Sequence, residues 1–150
     1  MATVVLTAAK GRPGVSTWAT ALAFAWPAGT GREVVLVDAD VSGGGPLSAF
    51  QRYGLGDGRG LLRWSTARNG GSDLVNELHS LDAEGSRRLL AGLPDPVAGA
   101  AVAPRWSALV VALRELTDGG QRDVLVDLGR LGSRHEAEPL LAAADLVTFS

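Results

Sequence analysis

Two stretches of this chain, residues 2–8 and Glu33-Val34-Val35-Leu36-Val37, are apolar runs with little alternation, the pattern of parallel strands buried on both faces. Between them, residues 15–26 have helical spacing that places Trp18, Leu22 and Ala25 on one face. Trp26-Pro27 and then Gly29-Thr30-Gly31 stop that helix, because proline removes an N–H and glycine favours the turn. The middle third predicts a short helix over 47–53, a glycine-rich turn over 54–60 and a helical segment over 61–67 containing Trp64. Asp73 is placed to cap a further short helix through Leu78, with Leu74, Val75 and Leu78 facing inward. Residues 86–93 read as a strand ended by Pro94-Asp95-Pro96. Ser107 is placed to cap a helix through Thr117 on which Leu109, Leu113 and Leu116 share a face, and Gly119-Gly120 ends it. A strand over 122–127, a helix over 139–144 and a strand over 145–149 complete the pattern. Strands separated by helices imply βαβ crossovers, so the expected fold class is α/β, a three-layer sandwich with a mainly parallel central sheet.

Composition narrows this picture. A chain of 150 residues with 46% hydrophobic content supports one core, and a single domain over 1–150 is expected, with no repeats and no linker. The absence of cysteine rules out disulfides, thiolate metal sites and cysteine nucleophiles. A net charge of -2 offers no general attraction to nucleic acid or to an anionic membrane. The apolar runs are broken by Asp, Gly, Arg or Pro short of a membrane span, and Met1 leads directly into a strand, so a cytoplasmic protein without a membrane segment is expected.

The candidate chemistry lies where strands end. Lys10-Gly11-Arg12-Pro13-Gly14-Val15-Ser16-Thr17 joins the first strand to the first helix, and Lys10 is the only lysine in the chain. A glycine-containing turn opening a helix directs backbone N–H groups and a positive dipole end at one point, which suits phosphate. The residue between the last glycine and Ser/Thr is ordinarily a lysine that reaches the β- and γ-phosphates, and here it is Val15. Asp38 and Asp40 follow the second strand and Asp127 ends a later one, at the sheet end where open α/β folds bind ligands. The competing reading is a βα turn that holds the fold and binds nothing, with the acids capping turns. Asp123 reads as a surface residue at a strand start, His79 and His135 as surface or half-buried helix residues, and Arg87 and Arg88 as solvated. The four tryptophans read as core or edge packing, with one available for a partner face.

In order along the chain, Lys10-Gly-x-x-Gly-x-Ser-Thr, Val37-Asp38-Ala39-Asp40, Asp123-Val-Leu-Val-Asp127 and Ala144-Asp145-Leu146-Val147 resemble the ParA/MinD family of P-loop ATPases, whose phosphate loop is of the deviant Walker A type. The resemblance spans nearly the whole chain and implies a P-loop NTPase-like fold that binds ATP or ADP with Mg2+. Lys10 matches the signature lysine that reaches across a nucleotide-sandwich homodimer, and Gly11 and Gly14 match the cradle. Ser16 matches the magnesium ligand and Thr17 lies near the α-phosphate. Asp40 matches the acid that positions or activates the attacking water, with Lys10 as its catalytic companion. Asp38 falls near magnesium and Asp127 matches the Walker B acid. Val15 occupies the position of the second lysine and cannot do its work, and Arg12-Pro13 replaces a small pair, so Arg12 can restore part of the lost positive field. The family continues into further strands and a C-terminal part that is not in this stretch. Loss of one charge-assisted phosphate contact, about 1.5–3 kcal/mol, weakens binding by about one to two decades and hydrolysis more. The resemblance therefore implies an ATP-binding positioning or partitioning switch with weak or absent hydrolysis, serving partitioning, cell division or pilus placement through a protein partner. The alternative is a pseudo-ATPase scaffold working by nucleotide-independent contact. Whether the chain is an enzyme stays open at this point.

Overall fold

A computed structural model describes residues 2–9, 14–29, 31–42, 58–67 and 74–150. Lys10, Gly11, Arg12 and Pro13 of the loop, the predicted helix over 47–53 and Asp73 lie outside the described residues. The strands are β1 (Thr3–Ala8), β2 (Glu33–Asp38), β3 (Leu78–Ser80), β4 (Arg87–Leu90), β5 (Arg122–Arg130) and β6 (Leu146–Phe149). The helices are α1 (Val15–Ala25), α2 (Leu61–Thr66), α3 (Gly99–Val102), α4 (Trp106–Thr117) and α5 (Glu138–Ala142).

These six strands form one sheet in the order β3-β4-β2-β5-β1-β6, with every neighbouring pair parallel except the antiparallel edge pair β3–β4. Side-chain alternation splits the strand residues between two faces. Val5, Val35, Val37, Val124 and Val126 join buried residues of α2, α3, α4 and α5 in one cluster. Val4, Leu6, Val34, Leu36 and Leu125 join Val15, Ala19 and Ala23 of α1 in the other. The mainly parallel layered sheet agrees with the expected fold class.

The buried face of α1 is not the one that groups Trp18, Leu22 and Ala25. Val15, Ala19 and Ala23 are buried, whereas Trp18 is 40% exposed and Ala25 is exposed. Small side chains let the helix lie close on the leucine and valine side chains of this sheet face, and the bulky Trp18 stays outside. The end of α1 is capped from a distant strand: Arg87 donates from Nε to Ala23 O at 3.1 Å and from Nη2 to Phe24 O at 3.0 Å and Trp26 O at 3.2 Å. A cation on the orphaned carbonyls of a helix C-terminus satisfies both hydrogen bonding and the dipole. Arg87 also pairs with Asp82, and Arg88 with Glu33, so neither arginine is merely solvated.

Four more expectations change. Leu74–Glu77 is a single 3-10 turn that leaves Val75 40% exposed, and Leu78 starts β3 instead of ending a helix. His79 is buried in β3 with Nε2 3.0 Å from Arg59 O. Ser107 is inside the helix it was expected to cap: the helical run begins at Pro96, where the Asp95 carboxylate accepts from Ala98 N at 3.1 Å. That run, Pro96–Thr117, spans 22 residues and contains an 18-residue window with a mean hydropathy of 1.4, long and apolar enough by length and composition to cross a membrane. Its Val102, Trp106, Leu109, Leu113 and Leu116 are buried in the core cluster with the sheet residues, while other positions of the run are exposed. Finally, Asp123 is buried: its carboxylate accepts from Ala2 N at 3.0 Å, Trp26 Nε1 at 2.9 Å and Arg32 Nη2 at 2.8 Å. It ties the start of β1, the end of α1 and the entry to β2 to β5, and these donors hold its carboxyl near pKa 2 despite burial.

Candidate functional site

The carboxyl ends of β1, β2 and β5 converge because these are neighbouring central strands. Asp38 and Asp127 are register partners on β2 and β5, side by side and almost fully buried. Ala39 N donates to Asp127 O at 2.8 Å, which carries the pairing one residue past β2. The β1–β5 register shifts between Leu6, opposite Asp127, and Thr7, opposite Gly129. Such an irregularity at the end of a ladder re-aims the residues beside it. Thr7 Oγ1 donates to Gly129 O at 2.9 Å and fixes it.

Two glycines make room for the acids. A Cβ on Gly92 would stand 2.5 and 2.8 Å from the Asp38 carboxylate oxygens, and one on Gly129 would stand 2.6 Å from both oxygens of Asp40. Gly129 has φ 67°, the left-handed region that favours glycine. Asp40 Oδ1 also accepts from Ser42 N at 2.8 Å and Ser42 Oγ at 2.6 Å, so this acid is folded over its own turn.

Burial dominates the electrostatics. Asp38 is pushed up to about 8, first by desolvation and then by the Asp127 charge beside it. Asp127 is also raised by desolvation, opposed by the Ser16 hydroxyl and by Gly129 N, which donates to Oδ1 at 3.0 Å. Asp127 Oδ2 is buried with no hydrogen-bond partner. An orphaned carboxylate oxygen beside a hydroxyl and a second acid is unstable as an anion unless a cation or proton joins it.

The helix side of the site is α1. Gly14 precedes it at φ 144°, a conformation suited to glycine, and its carbonyl accepts from Trp18 N at 2.7 Å. Ser16 is half-buried and turned toward Asp127, while Thr17 is exposed. Val15 is only 5% exposed and packs in the α1 core cluster with strand residues. The position of the expected lysine is thus occupied by a core side chain. Structure thereby brings together Ser16, Asp38 and Asp127, places Gly14 and Thr17 at the helix start and Asp40 beside Gly129. Lys10, Gly11 and Arg12 lie outside the described residues.

Sequence reading missed Gly92, Gly129 and Arg130. Arg130 is an exposed cation in register with Ala8, just before the loop. The Asp-x-Gly-Arg spacing at 127–130 was the available signal for the last two, and Gly92 had none.

The oxygen set fits a hard divalent cation. Mg2+ takes one or two carboxylates and completes its octahedron with water or phosphate oxygens. Among the described residues no group of three or more His, Cys, Asp or Glu could hold a metal by itself, so a cation here needs oxygens from a ligand or water as well.

No protein-family model and no curated protein matches this chain. Among solved structures, the septum site-determining protein MinD complexed with Mg-ADP, from Pyrococcus horikoshii OT3, is similar at a TM-score of 0.59 and 15% identity. The likeness covers 98% of this chain and 57% of that one. The chain therefore has an α/β P-loop NTPase-like fold, spanning a little over half the length of its MinD structural neighbour.

Proposed function

We propose that this chain is a ParA/MinD-like unit that binds ATP or ADP with Mg2+, hydrolyses it weakly or not at all, and serves as a positioning or partitioning switch in a cytoplasmic setting. The observation that carries the reading is the buried Asp38–Asp127 pair, with Asp127 Oδ2 orphaned beside Ser16 at the start of α1, in a fold shared with a Mg-ADP-binding protein. Ser16, Asp127 and Asp38 would hold the cation, which supplies positive charge to nucleotide phosphates when bound. The backbone at Gly14 and the first N–H groups of α1 would receive phosphate oxygens, with Thr17 at the exposed side. Lys10, Gly11 and Arg12 would complete the cradle, and Lys10 would reach the phosphates of a partner copy. Asp40, held by Ser42 over Gly129, would orient a water molecule. Val15 supplies no charge where phosphoryl charge develops, which is why turnover is weak in this reading.

Calorimetric titration of ATP and ADP with Mg2+ tests it. Saturable binding at micromolar to low-millimolar nucleotide that is lost in Asp127→Asn is expected, and no binding at millimolar nucleotide sinks the idea. The buried Val15 favours a second reading, a pseudo-ATPase scaffold that acts through protein contact without nucleotide. Sedimentation with and without Mg-ATP separates the two, because only the switch changes its assembly state.

A further inference from the structure

Strand β5 runs past Asp127 to Arg130, which is exposed, and among the described residues its guanidinium makes no hydrogen bond or ion pair. The direction of Arg130 follows from the shifted β1–β5 register. Register partners in a parallel ladder point to the same face of the sheet. Leu6 belongs to the α1 core cluster and its partner Asp127 meets the Ser16 hydroxyl of α1, so this pair faces α1. Leu128 turns the other way, into the cluster that holds α4. In an unbroken ladder Ala8 would then oppose Gly129, and Arg130 would point away from α1. The shift instead sets Thr7 opposite Gly129 and Ala8 opposite Arg130. One extra residue in β5, taken up where Gly129 has φ 67°, thus turns Arg130 to the α1 side, beside an Ala8 that is buried in the α1 cluster. Leu131 N donates to Ala8 O at 3.0 Å and Ser133 Oγ to Arg130 O at 3.0 Å, which fixes the backbone there.

The ends of β1, β2 and β5 and the first turn of α1 carry Asp38, Asp40 and Asp127, and among their described residues Arg130 is the one cation. A nucleotide brings further negative charge to the same edge, and Val15, in the core, offers it nothing. We infer that Arg130 binds the terminal phosphates of the nucleotide from β5, in place of the lysine that the start of α1 lacks. A guanidinium presents a planar fork of N–H donors that fits two oxygens of one phosphate, and its long stem carries the charge from one strand across to the neighbouring loop. Arg130 has this role only where the site takes nucleotide, so the assignment rests on the proposed function. A merely solvated Arg130 would leave nucleotide affinity unchanged.

Calorimetric titration with Mg-ATP tests it on the wild type, Arg130→Ala, Arg130→Lys and Arg114→Ala, the last removing an exposed arginine of α4 on the other side of the sheet. Loss of one charge-assisted phosphate contact should weaken Mg-ATP binding by about ten- to a hundredfold in Arg130→Ala. Arg130→Lys, which keeps the charge but not the fork, should lose less, and Arg114→Ala should bind as the wild type does. Without nucleotide Arg130→Ala should melt with the wild type, because its side chain is exposed and unpaired. In a Val15→Lys background the loss caused by Arg130→Ala should shrink, since a second cation then serves the same phosphates. Wild-type affinity in Arg130→Ala overturns the inference and leaves the nucleotide reading in place. A loss that Val15→Lys does not lessen also overturns it, by showing that Arg130 does not stand in for the lysine. A wild type that binds no Mg-ATP at millimolar concentration overturns both.

Discussion

The carboxylate of Asp40 sits against the α-carbon of Gly129, with both oxygens 2.6 Å from where a Cβ would stand. Strand β2 and strand β5 thus meet beyond their ladders through an acid and a glycine, and neither position tolerates enlargement of the other. Gly129 also donates to Asp127 and accepts from Thr7, so the same residue positions both acids.

Gly129→Ala should therefore cost about 1–3 kcal/mol, from a left-handed alanine together with displacement of Asp40. Replacing Asp40 by Gly in the same chain should return the steric part and leave the backbone part. Thermal unfolding of the two single variants and the double variant gives the coupling, and additive losses would show that Asp40 does not press on residue 129.

Stability should fall as pH rises from about 4 to about 8. Asp38 loses its proton near 3.8 when unfolded but near 8 when folded, and Asp127 is shifted in the same direction. Over that window the folded state holds more protons than the unfolded state, so unfolding becomes more favourable as pH increases. Asp38→Asn should flatten the slope and raise the melting temperature at pH 8. Mg2+ should stabilise the wild type more at pH 8 than at pH 5, because it competes with the retained proton.

Asp123 should behave in the opposite sense. Its folded pKa of about 2 lies below the unfolded value of 3.8, so the stability it adds is present above about pH 4 and lost as pH falls through 2. Asp123→Ala should cost about 1–3 kcal/mol at pH 7, chiefly by leaving Trp26 Nε1 and Ala2 N without their acceptor. The Arg32 pair adds little, since that side chain is 45% exposed. Denaturant unfolding at pH 7 and at pH 2.5 measures this, and an equal loss at both would refute the assignment.

Val15→Lys tests the loop directly. Val15 lies in the core cluster, so the free variant should be less stable by about 1–3 kcal/mol even with the ammonium snorkelling toward the loop. Mg-ATP should then raise its melting temperature more than it raises that of the wild type, reflecting an affinity gain of about one to two decades. An equal shift in both proteins would mean that the start of α1 does not face phosphate.

The sequence by itself determined the central sheet. Continuous apolar runs at β1, β2 and β5 have one stable placement, between helical layers in a parallel sheet, and acids following such runs must fall at the carboxyl edge. It also placed Gly14, Val15, Ser16 and Thr17 at the start of α1, because local turn chemistry sets a helix boundary. Only the tertiary structure decided the rest, since contacts between residues far apart in sequence have no local signature. Asp123 and Arg87 looked like surface charges until Trp26, Ala2 and the last carbonyls of α1 were brought to them. Trp18 read equally as core packing, edge packing or a partner face, and the close packing of Ala19 and Ala23 on the sheet decided that it points outward. The state of Asp38 is tertiary in the same way: an aspartate's charge is written in the sequence, but the burial and the neighbouring Asp127 that keep it protonated come from strand register.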